Sequence, residues 1–314
     1  MLEHSGSAES AAQKTLKSRI HCTGIGLHTG ARVNMTLLPA DINSGLVFVR
    51  TDVAEDRAVV PARWDGVSDT TLCTVVSNEH GTTVGTVEHL MAALRGCGID
   101  NAAIELDGPE VPIMDGSAAP FVFLIESAGM AAQPAVRRAI RVLKTVEVRD
   151  GDKLARLTPA AGFSFSFEID FPDPVVRRQK GTIRLANGAF KSDLARARTF
   201  GFLKDVEYLR SRGLARGGSL DNAVVINRGR VMNEGGLRFE DEFVRHKILD
   251  SIGDLYLAGA PILGHFHGDK SGHALNNQLL RRLFADELAW CYDTMDSVDA
   301  SEGGWNTERL ARTA

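Results

Sequence analysis

The residues best suited to chemistry lie in the segment RHKILDSIGD (245–254). On a helix, side chains four apart share a face, so His246, Asp250 and Asp254 form one polar edge. Ile248, Leu249, Ile252 and Leu255 form a separate apolar stripe that can face a core. A histidine and a carboxylate one turn apart can ligate a metal, and they can equally be a surface ion pair. Glu88 and His89 supply a partner from elsewhere in the chain: a second histidine with a spare carboxylate beside it. Alone, that dipeptide also reads as a solvated helix N-terminus, where the helix dipole favours Glu. Together, His89, His246 and Asp250 match a common catalytic zinc set, two imidazoles and a carboxylate, which leaves a fourth position for water. Such an ion lowers the water's pKa to about 7 and polarises a carbonyl. Glu88 is then the candidate base. His273, in SGHALNN (271–277), can protonate a leaving amine, or it can cap or pack a helix. Thr199, in ARTFGF (197–202), can donate to an oxyanion, and it is the weakest of these signals.

These side chains need elements to hold them. TVEHLMAALRGC (86–97) has Leu90, Met91, Leu94 and Cys97 at helical spacing, with Thr86 as a possible cap and Gly98 as the stop. The spacing predicts a strand over 101–106, a Gly/Pro-broken loop over 107–118 and a helix over about 117–129. Residues 240–257 read as the clearest helix of the chain, followed by a strand at PILGHF and a helix from Ala274. Strand patterns occur at 15–22, 31–38, 45–50, 139–149, 153–158 and 163–171. A helix is expected at 188–197 and another in DVEYLRSRG, and 128–138 reads as a linker. GIGLHTG (24–30) resembles a dinucleotide fingerprint, but its spacing is GxGxxxG and strand residues follow it, so it reads as a hairpin turn. His89 and His246 each lie in a helix that runs into a strand. Two similar halves would explain both this echo and the chain length. Strands with late helices in each half indicate an α+β class.

Composition excludes several function classes. The 314 residues carry 36 basic and 40 acidic side chains, a net charge of −4, which lacks the basic excess of a nucleic-acid binder. Cys22, Cys73, Cys97 and Cys291 form no CxxC pair, which fits a reducing compartment and argues against a cysteine-built zinc site. No run approaches the roughly 18 apolar residues of a membrane span, and the N-terminus lacks the apolar core of a secretory signal. Residues 1–12 are rich in Ser, Ala and Glu and read as disordered.

Seven strings together carry a resemblance: TGIGLHTG (23–30), TVEHL (86–90), GIDNAAIEL (98–106), PIMDGSA (112–118), RARTFGF (196–202), LRFEDEFVRHKILDSIGDL (237–255) and SGHALNN (271–277). In these strings, and in their order, the chain resembles the UDP-3-O-acyl-N-acetylglucosamine deacetylases, which carry out the committed step of lipid A synthesis. The resemblance implies two similar α+β domains, 13–130 and 136–300, forming a layered helix/sheet sandwich with the active site between them. Each would carry a small insert, the second a βαβ unit at about 202–226 forming a hydrophobic passage for the acyl chain. By position it implies His89, His246 and Asp250 as ligands of one Zn2+, with Fe2+ the alternative in cells. Glu88 is implied as general base, His273 as the cation at the oxyanion, Asp254 as the residue orienting it and Thr199 as an oxyanion donor. Lys247, Phe200, Phe202, Val206, Ser219 and Val225 are implied as substrate contacts. The implied partner is an acylated UDP-sugar and the implied compartment the cytoplasm; the composition adds no nucleic acid and no integral membrane span, and a monomer is expected. Thr71 and Leu214–Ala215–Arg216 depart from the usual pattern, which bears on acyl preference and not on the chemistry. Two other readings stay open on residues alone. One is a zinc peptidase, disfavoured by the lack of HExxH. The other is a sugar-nucleotide-binding protein with a structural metal, against which Glu88 and His273 speak.

Overall fold

A computed structural model describes residues 11–186, 188–295 and 304–306. The expected disorder of residues 1–12 falls mostly outside these, but Ala12 already begins a strand. In chain order the first half contains β1 (Ala12–Leu16), β2 (Ile20–Ile25), β3 (Arg32–Pro39), β4 (Leu46–Arg50), β5 (Val59–Pro61), β6 (Val67–Asp69), β7 (Val75–Ser77), β8 (Thr83–Val84), α1 (Glu88–Cys97), β9 (Ala102–Leu106), α2 (Ala119–Ala128) and β10 (Met130–Val136). The second contains β11 (Arg138–Val142), β12 (Val146–Asp150), β13 (Lys153–Thr158), β14 (Phe163–Asp170), β15 (Arg178–Arg184), β16 (Phe200–Phe202), α3 (Leu203–Ser211), β17 (Val224–Asn227), β18 (Arg230–Val231), α4 (Glu242–Tyr256), β19 (Ile262–Asp269), α5 (His273–Phe284), β20 (Trp290–Thr294) and β21 (Gly304–Asn306). This is a mixed α+β structure.

The two main sheets repeat one topology. The first runs β2-β3-β9-β4-β5, and the second contains β12-β13-β19-β14-β15. In each, the last strand of the set inserts between the second and third. It pairs in parallel with the third, β4 with β9 and β14 with β19. The inserted strand follows a long helix in both cases, α1 before β9 and α4 before β19. A parallel pair needs such a crossover connection, and the helix is that connection. The His89 and His246 helices therefore occupy equivalent positions in the repeat.

Several elements differ from the sequence reading. The pattern at 15–22 is two strands broken at 17–19, and 139–149 is likewise β11 and β12. The expected linker 128–138 is mostly strand: β10 pairs antiparallel with β1. Pro134 is tolerated because the register slips there, Ala12 facing Val136 and Gln13 facing Gln133, so no ladder bond needs its missing N–H. The expected helix at 188–197 is one wide turn, Phe190–Leu194, closed by Ala195 N–H to the Phe190 carbonyl at 2.8 Å. The GIGLHTG segment is the β2–β3 hairpin turn, Ile25 facing Arg32. A βαβ unit, β16-α3-β17 with parallel strands, spans Phe200–Asn227. Among the described residues no helix is long and apolar enough to cross a membrane.

Helices α1 and α4 cross closely, and their buried faces form the centre of the core. Leu90, Met91 and Leu94 of α1, and Ile248, Leu249 and Ile252 of α4, are almost fully buried. The crossing needs Gly253: a Cβ there would lie 1.9 Å from the Glu88 carbonyl oxygen. Overpacking of this kind costs about 1–3 kcal/mol. Gly253→Ala is therefore expected to lower the unfolding free energy by that order in denaturant melts. An unchanged midpoint would show that the crossing tolerates a methyl group.

Candidate active site

Glu88 and His89 occupy the first turn of α1, and both are buried. Thr86 does not cap this helix. Its hydroxyl donates to Glu110 Oε1 at 2.8 Å, and the residue before the first turn, Val87, offers no side-chain cap. Thr86 sits at φ 54°, an uncommon conformation for a β-branched residue, held here by that buried bond. Glu110 also accepts from the backbone N–H of His28 and Thr29 and from the Thr29 hydroxyl, at 2.8–2.9 Å. The glycine at 26 has its reason here: a Cβ would lie 2.3 Å from Glu110 Oε2. The dinucleotide-like string is thus a hairpin that admits a carboxylate.

On α4, His246 and Asp250 are one turn apart and face His89. Asp250 Oδ1 lies 3.4 Å from His89 Nε2 and 3.2 Å from His246 Nε2. The two imidazoles meet edge to face with centroids 4.9 Å apart. One donor atom from each of the three residues lies within 4.8 Å of the others, the one such group of three or more among the described residues. His246 Nδ1 is 3.1 Å from the Ala197 carbonyl, which can accept only if that nitrogen carries the proton. Nε2 is then left with its lone pair toward Asp250. Burial pushes the His246 imidazole down to about 3, so it is neutral, the form that ligates. Burial alone would raise the Asp250 carboxyl, but the surrounding cationic groups, with the Lys247 ammonium in direct contact, hold it well below the usual carboxylate range. Asp250 Oδ1 is buried with no hydrogen-bond partner. An ionised oxygen in that position is costly unless a cation meets it. The donor set and this orphaned oxygen fit a divalent metal.

A second cluster adjoins the first. His273 Nδ1 lies 2.8 Å from Asp254 Oδ2, and its Nε2 lies 4.0 Å from Glu88 Oε1. Burial opposes a charged imidazole, yet Asp254 and Glu88 raise His273 to about 9, so it is a cation at neutral pH. Burial raises the Glu88 carboxyl, with His273 and His89 opposing. The sequence reading missed the groups that hold these carboxylates. Thr74 donates its backbone N–H to Glu88 Oε2 at 3.0 Å and its hydroxyl to Asp254 Oδ1 at 2.6 Å. Asn276 donates to Asp254 Oδ2 at 2.8 Å. Asn276 lies within the SGHALNN string, one turn after His273, and that spacing was the available signal. Thr74 carried none. His28, also missed, reaches this region from the hairpin and feels the His273 charge.

Thr199 sits in the segment whose Ala197 carbonyl meets His246. Its backbone is fixed at both ends, N–H to Gly116 and carbonyl from Val224 N–H, each at 2.8 Å. The segment is docked on α4 by Arg198, whose Nε meets the fully buried Glu242 at 2.8 Å. Lys247 Nζ is engaged with Asp250 Oδ2 at 2.6 Å. Phe200 packs edge-on to Phe243 and stands 6.4 Å from the His246 ring. Phe171 continues the row, 5.8 Å from Phe200 and 6.0 Å from Phe202. That row opens into a groove of about 990 Å³ whose walls include Phe171, Phe202, Leu203, Val206 and Ile226. Val225 and Ser219 are not among its lining residues. Val225 faces Gly201 in the β16–β17 ladder, and the exposed Ser219 accepts from Asp221 N–H at 3.2 Å.

The chain is also similar to known proteins. A sequence model of the family described as UDP-3-O-acyl N-acetylglycosamine deacetylase matches residues 13–285. A protein of Shewanella baltica named UDP-3-O-acyl-N-acetylglucosamine deacetylase is 52% identical over 280 residues, covering 88% of this chain and 91% of its own. The Shewanella oneidensis protein of the same name is 52% identical over the same shares of both chains.

His273 keeps its proton below about 9 and loses it as pH rises through that value. Removing the Asp254 charge should lower this titration by about one to three pH units. NMR titration of His273 in Asp254→Asn tests it, and a midpoint still near 9 would contradict the assigned cause.

Proposed function

The chain belongs to the UDP-3-O-acyl N-acetylglycosamine deacetylase family, and we propose that the buried cluster around Asp250 is the centre at which it works. The enzyme is a hydrolase: it removes the acetyl group of UDP-3-O-acyl-N-acetylglucosamine, giving the free amine and acetate, in lipid A biosynthesis. The observation that carries the site reading is the unpartnered, buried Asp250 Oδ1 between two histidine Nε2 atoms, beside the Glu88–His273 pair.

In this reading His89, His246 and Asp250 hold one zinc ion, with iron(II) an alternative in cells. When bound, the ion supplies Lewis acidity and a water of lowered pKa. Glu88 takes the proton from the attacking water; its carboxylate is oriented by the Thr74 N–H. His273, kept cationic by Asp254, donates to the amide oxygen as charge develops there, and the Thr199 hydroxyl donates to the same oxygen. His273 then gives its proton to the departing amine. Water is consumed, the C–N bond breaks, and acetate and the amine are released. The metal is no spectator in this scheme, which separates it from a binding protein with a structural ion.

The acyl chain is assigned to the groove reached along Phe200, Phe171 and Phe202, with Val206 on its wall. Lys247 is assigned to the sugar–diphosphate side, where moving off Asp250 frees its charge for substrate. Ser219 and Val225 are retained as contacts at the rim of the same insert. The repeated strand order supports two related domains, 13–130 and 136–300, with the insert at about 202–226. Cytoplasmic action and a monomeric state belong to the same reading.

Three outcomes test it. His89→Ala should lose most of its bound metal by elemental analysis; tight stoichiometric zinc in that variant would remove His89 from the ligand set. Glu88→Gln should retain the metal while kcat falls by about 10²–10⁴-fold, and near-normal turnover would assign the base elsewhere. Each buried CH₂ is worth roughly 0.8 kcal/mol, so kcat/KM for acetate release should drop by well over about tenfold when several carbons are removed. Equal values for acylated and unacylated nucleotide sugars would exclude the groove as an acyl site.

A further inference from the structure

Glu242 is a fully buried carboxylate with no place in the reaction outlined above. It lies in the first turn of α4, one turn before His246 and so on the same helix face. Four donors converge on its two oxygens. Oε1 accepts from the Arg198 backbone N–H at 3.0 Å and from Arg198 Nε at 2.8 Å. Oε2 accepts from Arg198 Nη2 at 3.1 Å and from the Arg238 backbone N–H at 2.6 Å. The Arg198 side chain is itself almost entirely buried, and its Nη2 also reaches the Gly236 carbonyl at 2.8 Å.

A buried ion pair is seldom the most stabilising way to fill such a space, because desolvating two charges offsets most of their attraction. What this one supplies is position. An apolar pair would let the segment slide along α4, whereas a carboxylate that accepts from the backbone N–H of one residue fixes that residue's place. Both neighbours of Arg198 carry a role that depends on place. On one side the Ala197 carbonyl, 3.1 Å from His246 Nδ1, decides which His246 nitrogen carries the proton and which is left to ligate. On the other side stands Thr199, whose backbone is bonded to Gly116 and Val224. The contacts run in order along the segment: Ala197 on His246, Arg198 on Glu242, Phe200 on Phe243. The helix that carries His246 therefore also carries the segment that flanks it.

We propose that Arg198 and Glu242 are positioning residues for the reaction: their ion pair sets the register of residues 197–200 against α4, and through Ala197 and Thr199 it governs both zinc affinity and the hydrogen bond to the amide oxygen. The inference rests on the reading of His246 as a ligand and Thr199 as an oxyanion donor. Neither Arg198 nor Glu242 touches substrate in this scheme. Each acts only by holding its neighbours, so loss of the pair shows in the metal and in the transition state before it shows in substrate binding.

The test measures zinc affinity by competition with a chelator, and acetate release at saturating zinc, in Arg198→Lys and in the double variant Arg198→Met/Glu242→Gln. Lysine keeps the charge but not the fork that spans both carboxylate oxygens. The double variant removes both charges, so neither is left buried alone, and it should melt close to the parent. Both should still bind zinc about 10–100-fold more weakly, the cost of losing a partner behind a ligand. At saturating zinc both should lose kcat with little change in KM, because the oxyanion contact is made only in the transition state. Adding Thr199→Ala to Arg198→Lys should cost far less than the product of the two single losses, since the residues act as a unit. Arg245→Lys is the control for a purely structural ion pair: its guanidinium pairs with Asp241 at the same end of α4 and meets the Asp193 carbonyl at 2.7 Å. It should keep the parent's zinc affinity and kcat. Folded Arg198 variants that match Arg245→Lys in zinc affinity, or a kcat loss that multiplies with that of Thr199→Ala, overturn the proposal. His89→Ala separates this failure from that of the site reading: tight zinc in His89→Ala sinks the ligand set, whereas zinc lost there and kept in both Arg198 variants sinks only the positioning pair.

Discussion

The close crossing of α1 and α4 is the constraint on which the site depends. Gly253 has no Cβ, so the backbone of α4 comes against the Glu88 carbonyl. That separation brings the first turn of one helix against the middle of the other. His89 then reaches Asp250 at 3.4 Å while His246 reaches it at 3.2 Å. A second glycine helps seat α1: a Cβ at Gly96 would lie 2.0 Å from the Phe190 ring. Packed interiors do not yield continuously to such intrusions. The relative placement of His89, His246 and Asp250 is therefore set by backbone contact, and their side chains need only project from fixed positions.

Burying this many ionisable groups would be unfavourable without partners. Each charged group here has one. Asp254 is met by Thr74, Asn276 and His273. Glu88 takes a backbone N–H and faces His273. Lys247 keeps its charge despite burial because Asp250 raises it. The exception is Asp250 Oδ1, and the exception is where a cation belongs. Thr74 links Glu88 and Asp254 through separate atoms of one residue, so the two carboxylates are held as a unit.

The segments around the helices transmit this order outward. The 112–118 loop holds Thr199 through the Gly116 carbonyl, and the same threonine's carbonyl accepts from Val224 in the βαβ unit. Glu242, buried in the first turn of α4, anchors Arg198 and accepts from Arg238 N–H at 2.6 Å. The groove is thereby joined to the His89–His246–Asp250 cluster by covalent chain and by a row of aromatic rings. The β2–β3 hairpin joins from the opposite side, through Glu110 and through Gly217 N–H to the Leu27 carbonyl at 3.0 Å.

Local periodicity was enough to define α4, its apolar stripe and its His246–Asp250–Asp254 edge, because those relations span one or two helical turns. The same holds for Gly98 ending α1 at φ 73° and for the hairpin at 24–30. The α+β class followed from the order of strand and helix patterns. Side-chain types suggested a metal chemistry for His89, His246 and Asp250 but left a surface ion pair open on residues alone. Periodicity could not say that His89 meets His246, because no local rule relates two helices separated by most of the chain; family resemblance had to supply that pairing. It also missed Thr74 and Asn276 as partners of Asp254, and it misread 128–138 as a linker. A strand at the edge of a two-stranded ribbon is defined by the partner that pairs with it, here Ala12–Leu16 from the other end of the first half. Thr86 failed as a cap for the same reason: its hydroxyl was claimed by Glu110, a residue that only the folded chain brings near. Residue types and spacing determine what a segment can do, whereas burial and long-range contact decide which of those capacities is used, because desolvation and pairing energies exist only once the chain has closed around them.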